Sequence, residues 1–142
     1  MKTAFVDTNI LVYAASESGV ESRKRQIARE ITLLPHLCIS VQVLNEFISC
    51  ARNPKKLNLP RQQEIQWLQE WFCLTIADLT IADFQTALEI HLRYQLSHWD
   101  SLIVASAISL NCSLLYSEDM QHGLMIEGLE IINPFLEETA QS

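Results

Sequence analysis

The chain alternates short apolar runs with longer stretches in which apolar residues recur every three or four positions. Short apolar runs predict buried strands, and the longer periodic stretches predict helices. Because helical stretches separate successive strands, the strands should run parallel in a sheet covered on both faces. The pattern therefore predicts a three-layer α/β/α fold with a five-stranded parallel sheet. The expected strands lie at 4–6, 36–40, 73–77, 113–116 and 129–132.

The helical stretches carry recognisable start signals. Thr8 or Asn9 is the expected N-cap of a helix after the first strand, and Ser40 caps the helix over 41–52. The sequence Ser-His-Trp-Asp at 97–100 fits a capping pattern and opens a helix that should be buried on most sides. Further helices are predicted over 20–34, 62–72 and 80–95. The expected inward face of the last of these is made of Ile81, Phe84, Ala87, Leu88 and Leu92.

Four acidic residues occupy informative places in this pattern. Asp7 and Asp119 follow the first and fourth strands. Asp100 opens the helix before the fourth strand, and Glu46 lies among the apolar residues of the helix over 41–52. The carboxyl ends of parallel strands face one crevice, so the four side chains can meet at one edge of the sheet. The simpler explanations are helix capping for Asp7 and Asp100, and a water-facing boundary position for Glu46.

A cluster of four carboxylates implies a particular chemistry. Such groups repel one another, and protonating all of them at pH 7 is too costly to be the solution. An oxygen-rich site without His or Cys ligands favours Mg²⁺ or Mn²⁺. These ions activate water and stabilise the charge of a phosphoryl transition state. The pattern therefore favours a metal-dependent nuclease.

Length and charge set the broad class. The 142 residues suggest one domain over 1–142, with its core at about 3–133 and a loosely held acidic tail. A net charge of −7 argues against a protein that coats nucleic acid with a basic surface. It leaves room for a local basic cluster, and Arg52, Lys55, Lys56 and Arg61 form one. We expect the first three of these to contact the phosphate backbone of a nucleic acid.

The remaining residue types indicate few other sites. Cys38, Cys50, Cys73 and Cys112 have no metal-binding spacing and are expected to be reduced core residues of a cytoplasmic protein. No signal peptide or membrane span is predicted. The four histidines lack metal-pair spacing, and only three glycines are present, so no phosphate-binding glycine loop is expected. The tryptophans Trp67, Trp71 and Trp99 fit core packing better than base stacking.

Four stretches of the sequence resemble the motifs of PIN-domain ribonucleases. They are FVDTNILVYA at 5–14, SVQVLNEF at 40–47, WDSLIVASA at 99–107 and LYSEDM at 115–120. Each motif alone is weakly specific, but the four occur in the family's order and span residues 3–133. Length and single-domain form further resemble the toxin of bacterial VapBC-type toxin–antitoxin pairs.

The resemblance implies a divalent-metal endoribonuclease on a parallel five-stranded sheet. Asp7, Glu46, Asp100 and Asp119 match the family's acidic quartet, which holds Mg²⁺ or Mn²⁺. Asn9 and Ser117 match the small polar residues that brace the quartet. The family also implies a homodimer and an antitoxin partner, part of which lies across the acidic groove. We expect one or two metal ions to orient a hydroxide that attacks an RNA phosphate in line.

Two other functions remain open at this point. A haloacid-dehalogenase-like phosphatase also places an aspartate after its first strand, but its chemistry needs a second aspartate two residues later, where this chain has Asn9. A non-catalytic interaction module on the same fold would use the acids as caps and surface charges. Such a module would show no Mn²⁺ site for Asp7→Asn to remove.

Overall fold

The computed structural model describes residues 3–17 and 21–136. In that part of the chain six strands form one sheet: β1 Ala4–Val6, β2 Leu37–Ser40, β3 Thr75–Ala77, β4 Leu114–Tyr116, β5 Met125–Ile126 and β6 Leu129–Ile132. The helices are α1 Thr8–Ala15, α2 Ser22–Thr32, α3 Val41–Arg52, α4 Arg61–Trp71, α5 Ile81–Tyr94 and α6 His98–Ser109. Predicted bounds agree to within two residues. Position 20 and most of the acidic tail lie outside the described residues.

The sheet is parallel over five of its strands, as predicted. Its order is β3-β2-β1-β4-β6-β5, with β1 in the middle. Phe5 of β1 lies opposite Cys38 of β2 on one side and Leu115 of β4 on the other. Neighbouring parallel strands place their carboxyl ends at the same edge, so the residues that follow β1, β2 and β4 come together there.

The prediction of five strands was one strand short. β5 pairs antiparallel with β6 through a two-residue turn at Glu127 and Gly128. Both turn residues have positive φ, 49° and 86°, which is typical of a type I′ hairpin. A two-residue strand carries too little apolar pattern to be recognised, and Glu-Gly is not among the usual hairpin turn sequences.

The core lies between the sheet and the helices on its faces. Phe5, Phe47 and Leu115 are fully buried, and Phe47 packs edge-on against Trp71 with ring centroids 5.8 Å apart. In α6 the residues from 101 to 107 are all buried, which confirms the predicted central helix. None of the helices within the described ranges is long and apolar enough to cross a membrane.

Four helices begin at or near the carboxyl edge of the sheet, and their caps fix where each helix starts. The N-cap of α1 is Asp7 itself, whose carboxylate accepts from the Thr8 amide, so the prediction of Thr8 or Asn9 was wrong. Ser40 caps α3 as predicted, and Ser97 caps α6 by accepting from the Asp100 amide. Helix α5 begins with a capping box between Thr80 and Asp83.

The predicted inward face of α5 faces outward. Ile81 and Leu92 are 74% and 80% exposed, and Phe84 and Leu88 are each more than 40% exposed. Among the five residues predicted to face inward, only Ala87 is buried. The prediction failed because helical spacing reveals an apolar stripe without revealing what covers it. The stripe is covered by nothing in the described chain.

Two expectations about core residues also need correction. Trp99 is 63% exposed, whereas Trp71 is buried. All four cysteines are free, but Cys73 is exposed and Cys50 only partly buried. Burial raises the pKa of the Cys112 thiol to about 12, which keeps that sulfur protonated and unreactive.

Candidate functional site

The fold brings the four predicted acids to one edge of the sheet. Asp7 ends β1, Asp119 lies three residues beyond β4, Asp100 sits in the first turn of α6, and Glu46 lies in the second turn of α3. The charges of Asp100 and Glu46 each raise the pKa of Asp7, and the charges of Asp119 and Glu46 raise that of Asp100. Residues separated by up to 112 positions therefore share one electrostatic environment.

Asp7 is the most deeply buried of the four, with 5% of its surface exposed. Burial raises its pKa from 3.8 to about 7, and the neighbouring acids add to the rise. Hydrogen bonds from the Ser117 hydroxyl and the Thr8 amide act in the opposite direction, because they stabilise the ionised form. The folded protein therefore holds a carboxylate whose charge is costly in this place.

Ser117 and Asn9 tie the acids together. The Ser117 hydroxyl donates to Asp7 Oδ2 at 2.8 Å and accepts from the Asp119 amide at 3.2 Å. Asn9 Nδ2 donates to Asp119 Oδ2 at 3.0 Å, while its Oδ1 accepts from the Glu118 amide. One fully buried hydroxyl and one amide thus hold the loop after β4 against the start of α1.

Glu46 is held by two residues that the sequence analysis did not assign to the site. The Thr8 hydroxyl donates to Glu46 Oε1, and Gln42 Nε2 donates to Glu46 Oε2 at 3.0 Å. Gln42 Nε2 also lies 3.2 Å from the carbonyl of Trp99, the residue before Asp100. The position of Gln42, one helical turn before Glu46, was the available signal.

Asp100 is half-buried. Helix capping by Ser97 accounts for the backbone amide of Asp100 but not for the placement of its carboxylate. Its backbone amide donates to Ser97 Oγ, which is the capping interaction predicted. Burial first, and then the charge of Asp119, raise the pKa of its carboxyl group, while Ser97 lowers it. A carboxylate used only as a helix cap would not be placed against two other acids.

The oxygen atoms that these side chains offer suit a hard divalent cation in type and charge. All are carboxylate or amide oxygens, and no Lys or Arg forms an ion pair with any of the four acids within residues 3–17 and 21–136. In the same ranges, no three Asp, Glu, His or Cys side chains are already gathered tightly enough to form a metal site. The chemistry of the donor set therefore fits Mg²⁺ or Mn²⁺, while the fourfold ligation expected from the sequence stays a prediction.

Two of the three predicted RNA-contacting residues lie beside the acids. Lys55 and Lys56 line a pocket of about 780 Å³ together with Asn9, Glu46 and Asp119. Arg52 points elsewhere: its guanidinium makes two hydrogen bonds to the carboxylate of Glu64, at 2.9 and 3.0 Å. The structure thus brings both lysines to the acidic edge and engages the arginine in an ion pair.

A network next to the acids was also missed from the sequence. Glu118 accepts from the Tyr13 hydroxyl at 2.7 Å and forms an ion pair with Lys24. The Glu118 carboxylate raises the pKa of the Lys24 ammonium well above its ordinary range. Since Glu118 lies between Ser117 and Asp119, the network fastens the acid-bearing loop to α1 and α2. Nothing in the sequence spacing indicates that these three residues meet.

Comparison with solved structures shows the same fold in bacterial proteins. A toxin–antitoxin complex from Klebsiella pneumoniae matches with a TM-score of 0.71 and 20% identity, over 94% of this chain and 98% of that chain. Mycobacterium tuberculosis VapC20, a sarcin-ricin loop cleaving toxin, matches with a TM-score of 0.65 and 16% identity, over 82% and 90% of the two chains. VapBC2 from Rickettsia felis, bound to a promoter DNA fragment, matches with a TM-score of 0.62 and 21% identity, over 91% and 96%.

The sequence itself identifies the family. No curated protein matches it at a significant level. The model of the PIN domain matches residues 4–123, which include the strands and helices that carry all four acids. That stretch is more than half of the chain. The chain therefore belongs to the PIN domain family.

Proposed function

We propose that this protein is an endoribonuclease that depends on Mg²⁺ or Mn²⁺ and hydrolyses RNA phosphodiester bonds. The observation that carries the proposal is the meeting of four acids from four separate elements at one sheet edge, where no Lys or Arg of the described ranges forms an ion pair with any of them. A cluster that only capped helices would gain nothing from mutual repulsion. A cation and a phosphate are the partners that such an edge lacks.

In this proposal Asp7, Asp100 and Asp119 hold the metal, with Glu46 binding it directly or through water. One or two bound ions would supply an activated water and stabilise the charge that develops on the phosphate. The chain's own residues supply the geometry: Ser117 and Asn9 position Asp7 and Asp119, and Thr8 orients Glu46. Lys55 and Lys56 are proposed to contact the RNA backbone at the rim.

The direct test is to incubate the purified protein with RNA and Mg²⁺. We expect cleavage that stops when EDTA removes the metal and returns when Mg²⁺ or Mn²⁺ is added in excess. Calorimetric titration with Mn²⁺ should show a site in the wild type that is lost in Asp7→Asn. Cleavage that continues in EDTA would contradict the proposal.

The same titration tests the first alternative, and trapping of a covalent phosphate tests the second. An interaction module that merely has this fold would bind Mn²⁺ no better than its Asp7→Asn variant and would leave RNA intact. A phosphatase of the haloacid-dehalogenase type would form a covalent phosphate on Asp7. The residue two positions later is Asn9, which hydrogen-bonds Asp119 and Glu118 and has no acid to offer.

We further propose that the enzyme is a VapC-type toxin that acts in the cytoplasm and is inhibited by an antitoxin. The structural neighbours include a toxin–antitoxin complex and VapBC2, and their chains are covered almost completely by this one. A net charge of −7 and an acidic groove suit a partner segment that carries Arg or Lys. Co-purification with the product of the neighbouring small reading frame, and loss of cleavage in that complex, would support this role.

The outward stripe of α5 supports the proposed homodimer. Four large apolar side chains at Ile81, Phe84, Leu88 and Leu92 stand in the order i, i+3, i+7 and i+11 on one helix face. Exposed apolar stripes of this kind are costly in a monomer and typical of a self-association surface. A second copy, placed against the first by a twofold axis, would cover both stripes.

Changing Leu92 tests the dimer. Leu92→Glu places a charge in the most exposed position of the stripe, so we expect a dimeric wild type and a monomeric variant by light scattering, with unchanged far-UV circular dichroism. Leu136→Glu, at an exposed leucine elsewhere, is the matched control and should leave the mass of the dimer unchanged. A monomeric wild type at micromolar concentration would contradict the proposed homodimer.

A further inference from the structure

A small pocket adjoins the acidic edge on the side of α6. It has a volume of about 460 Å³, and Glu46 of the acidic cluster forms part of its wall. Val41, Leu79 and Trp99 provide apolar surface. Its polar lining consists of Gln42, Asn45 and Asp78. A site with apolar walls and a few polar groups is the usual form of a pocket for a small planar ligand.

Trp99 is placed unusually for a large aromatic side chain. It is 63% exposed, although it directly precedes Asp100 in the first turn of α6. The ring of His98 lies edge-on to it with centroids 5.2 Å apart, and Phe84 lies edge-on to His98 at 5.7 Å. This contact chain supports one side of the indole and leaves much of the ring surface open. Exposed aromatic rings next to a phosphodiester-cleaving site are the usual platforms for unstacked bases.

Gln42 carries an unsatisfied acceptor at this pocket. Its amide nitrogen donates to Glu46 and to the Trp99 carbonyl, which fixes the orientation of the amide. The residue is 92% buried, and its Oε1 is shielded and accepts no hydrogen bond from the described chain. A buried acceptor without a donor leaves its desolvation uncompensated. The Gln42 amide thus fixes the pocket wall between Glu46 and the Trp99 backbone.

We propose that this pocket binds a guanine base of the RNA substrate, next to the phosphate that is cleaved. The choice of RNA rests on the proposed function. The Asp78 carboxylate offers two acceptor oxygens at the pocket, and the Asn45 amide can donate. Guanine is the RNA base with two adjacent N–H donors beside an acceptor on its Watson–Crick edge. Trp99 stacks on the face of the base, and the acidic cluster lies one residue away at Asp100.

Binding of short RNAs by the full chain tests the pocket apart from catalysis. Ca²⁺ replaces Mg²⁺, and tryptophan fluorescence is titrated with UUGUU, UUAUU, UUCUU and UUUUU. We expect UUGUU to bind most tightly. Trp99→Ala should weaken UUGUU binding by roughly 10- to 100-fold, and Trp99→Phe should restore most of the loss. Because these two changes also alter the fluorescence, their affinities are measured by anisotropy of end-labelled RNA.

Two further variants distinguish a base pocket from general damage. Asp78→Asn keeps the size of the side chain and removes the carboxylate acceptor from the pocket, so it should remove the preference for UUGUU over UUAUU while the chain stays folded. Phe72→Ala, at an aromatic residue that is 59% exposed and outside the pocket, should bind like the wild type. Equal binding of all four RNAs, or a preference for another base, would overturn the proposal.

The competing use of this surface is contact with another protein chain. If Trp99→Ala converts a dimer to a monomer and leaves the binding of UUGUU unchanged, the pocket is an interface and not a base site. The outcomes also separate the two proposals. Wild-type cleavage with no base preference leaves the nuclease and removes the pocket, whereas Trp99-dependent guanine binding without cleavage removes the nuclease and keeps the pocket.

Discussion

Asp100→Asn should reduce RNA cleavage by a factor of roughly 10²–10³ or more. The side chain keeps its size, and the cap of α6 is made by the Asp100 amide with Ser97, so the helix start is preserved. What is lost is the negative charge that faces Asp119 and Glu46. The measurement is the initial rate of cleavage of a labelled RNA in Mg²⁺, with thermal unfolding of the same preparation.

The matched control is Glu30→Gln on α2. Glu30 is an exposed acid whose hydrogen-bond partner is Gln26, at 3.5 Å on the same helix. Removing its charge changes the net charge of the protein by the same amount as Asp100→Asn, so we expect wild-type cleavage. If Asp100→Asn also cuts RNA at the wild-type rate, Asp100 does not serve in the proposed reaction.

Asp7→Asn should abolish cleavage and at the same time stabilise the metal-free protein above neutral pH. The folded pKa of Asp7 is about 7 and its ordinary value is 3.8, chiefly because of burial. Folding therefore takes up a proton between these values, and the free energy of unfolding falls as pH rises from about 4 to 7. The shift corresponds to at most about 4 kcal/mol of lost stability above pH 7, where Asp7 must ionise in place.

The neutral amide of Asn does not have to ionise. The difference in unfolding midpoint between Asp7→Asn and the wild type should therefore be small at pH 4 and large at pH 8. Thermal unfolding in EDTA at both pH values measures it, and we expect Asp7→Asn to raise the midpoint by roughly 5 °C at pH 8. Asp83→Asn is the control, since Asp83 is equally buried but accepts from the Thr80 amide in a capping box. That change should lower the midpoint. A lower midpoint for Asp7→Asn at pH 8 would contradict the assigned ionisation cost.

The sequence predicted the parallel sheet and the positions of the four acids because both depend on short-range pattern. A short stretch of sequence is enough to recognise an apolar strand followed by Asp7, or one followed by Ser117 and Asp119. The contacts that hold the acids could not be predicted in the same way. Gln42 and Thr8 meet at Glu46 across 34 positions, and such a meeting depends on the packing of α1 against α3.

The errors on the surface have a related cause. A periodic apolar face predicts a helix equally well whether the face packs inside the subunit or against another molecule, so the stripe of α5 was placed inward. Trp99 was assigned to core packing together with Trp67 and Trp71, although its side chain is exposed. Arg52 was grouped with Lys55 and Lys56 because they are close in sequence, but Glu64 lies one helix later and engages its guanidinium. Partners of charged side chains are decided by tertiary contacts.

The ion pair between Lys24 and Glu118 has a consequence for the path of the proposed RNA substrate. The Lys24 ammonium pairs with the Glu118 carboxylate and lies 5.2 Å from the centroid of the Tyr13 ring. Within the described residues, the cations of the pocket beside the acids that form no ion pair are Lys55 and Lys56. An RNA strand in this cleft would then lie with its sugar–phosphate backbone along the loop after α3. Its bases would point toward α6.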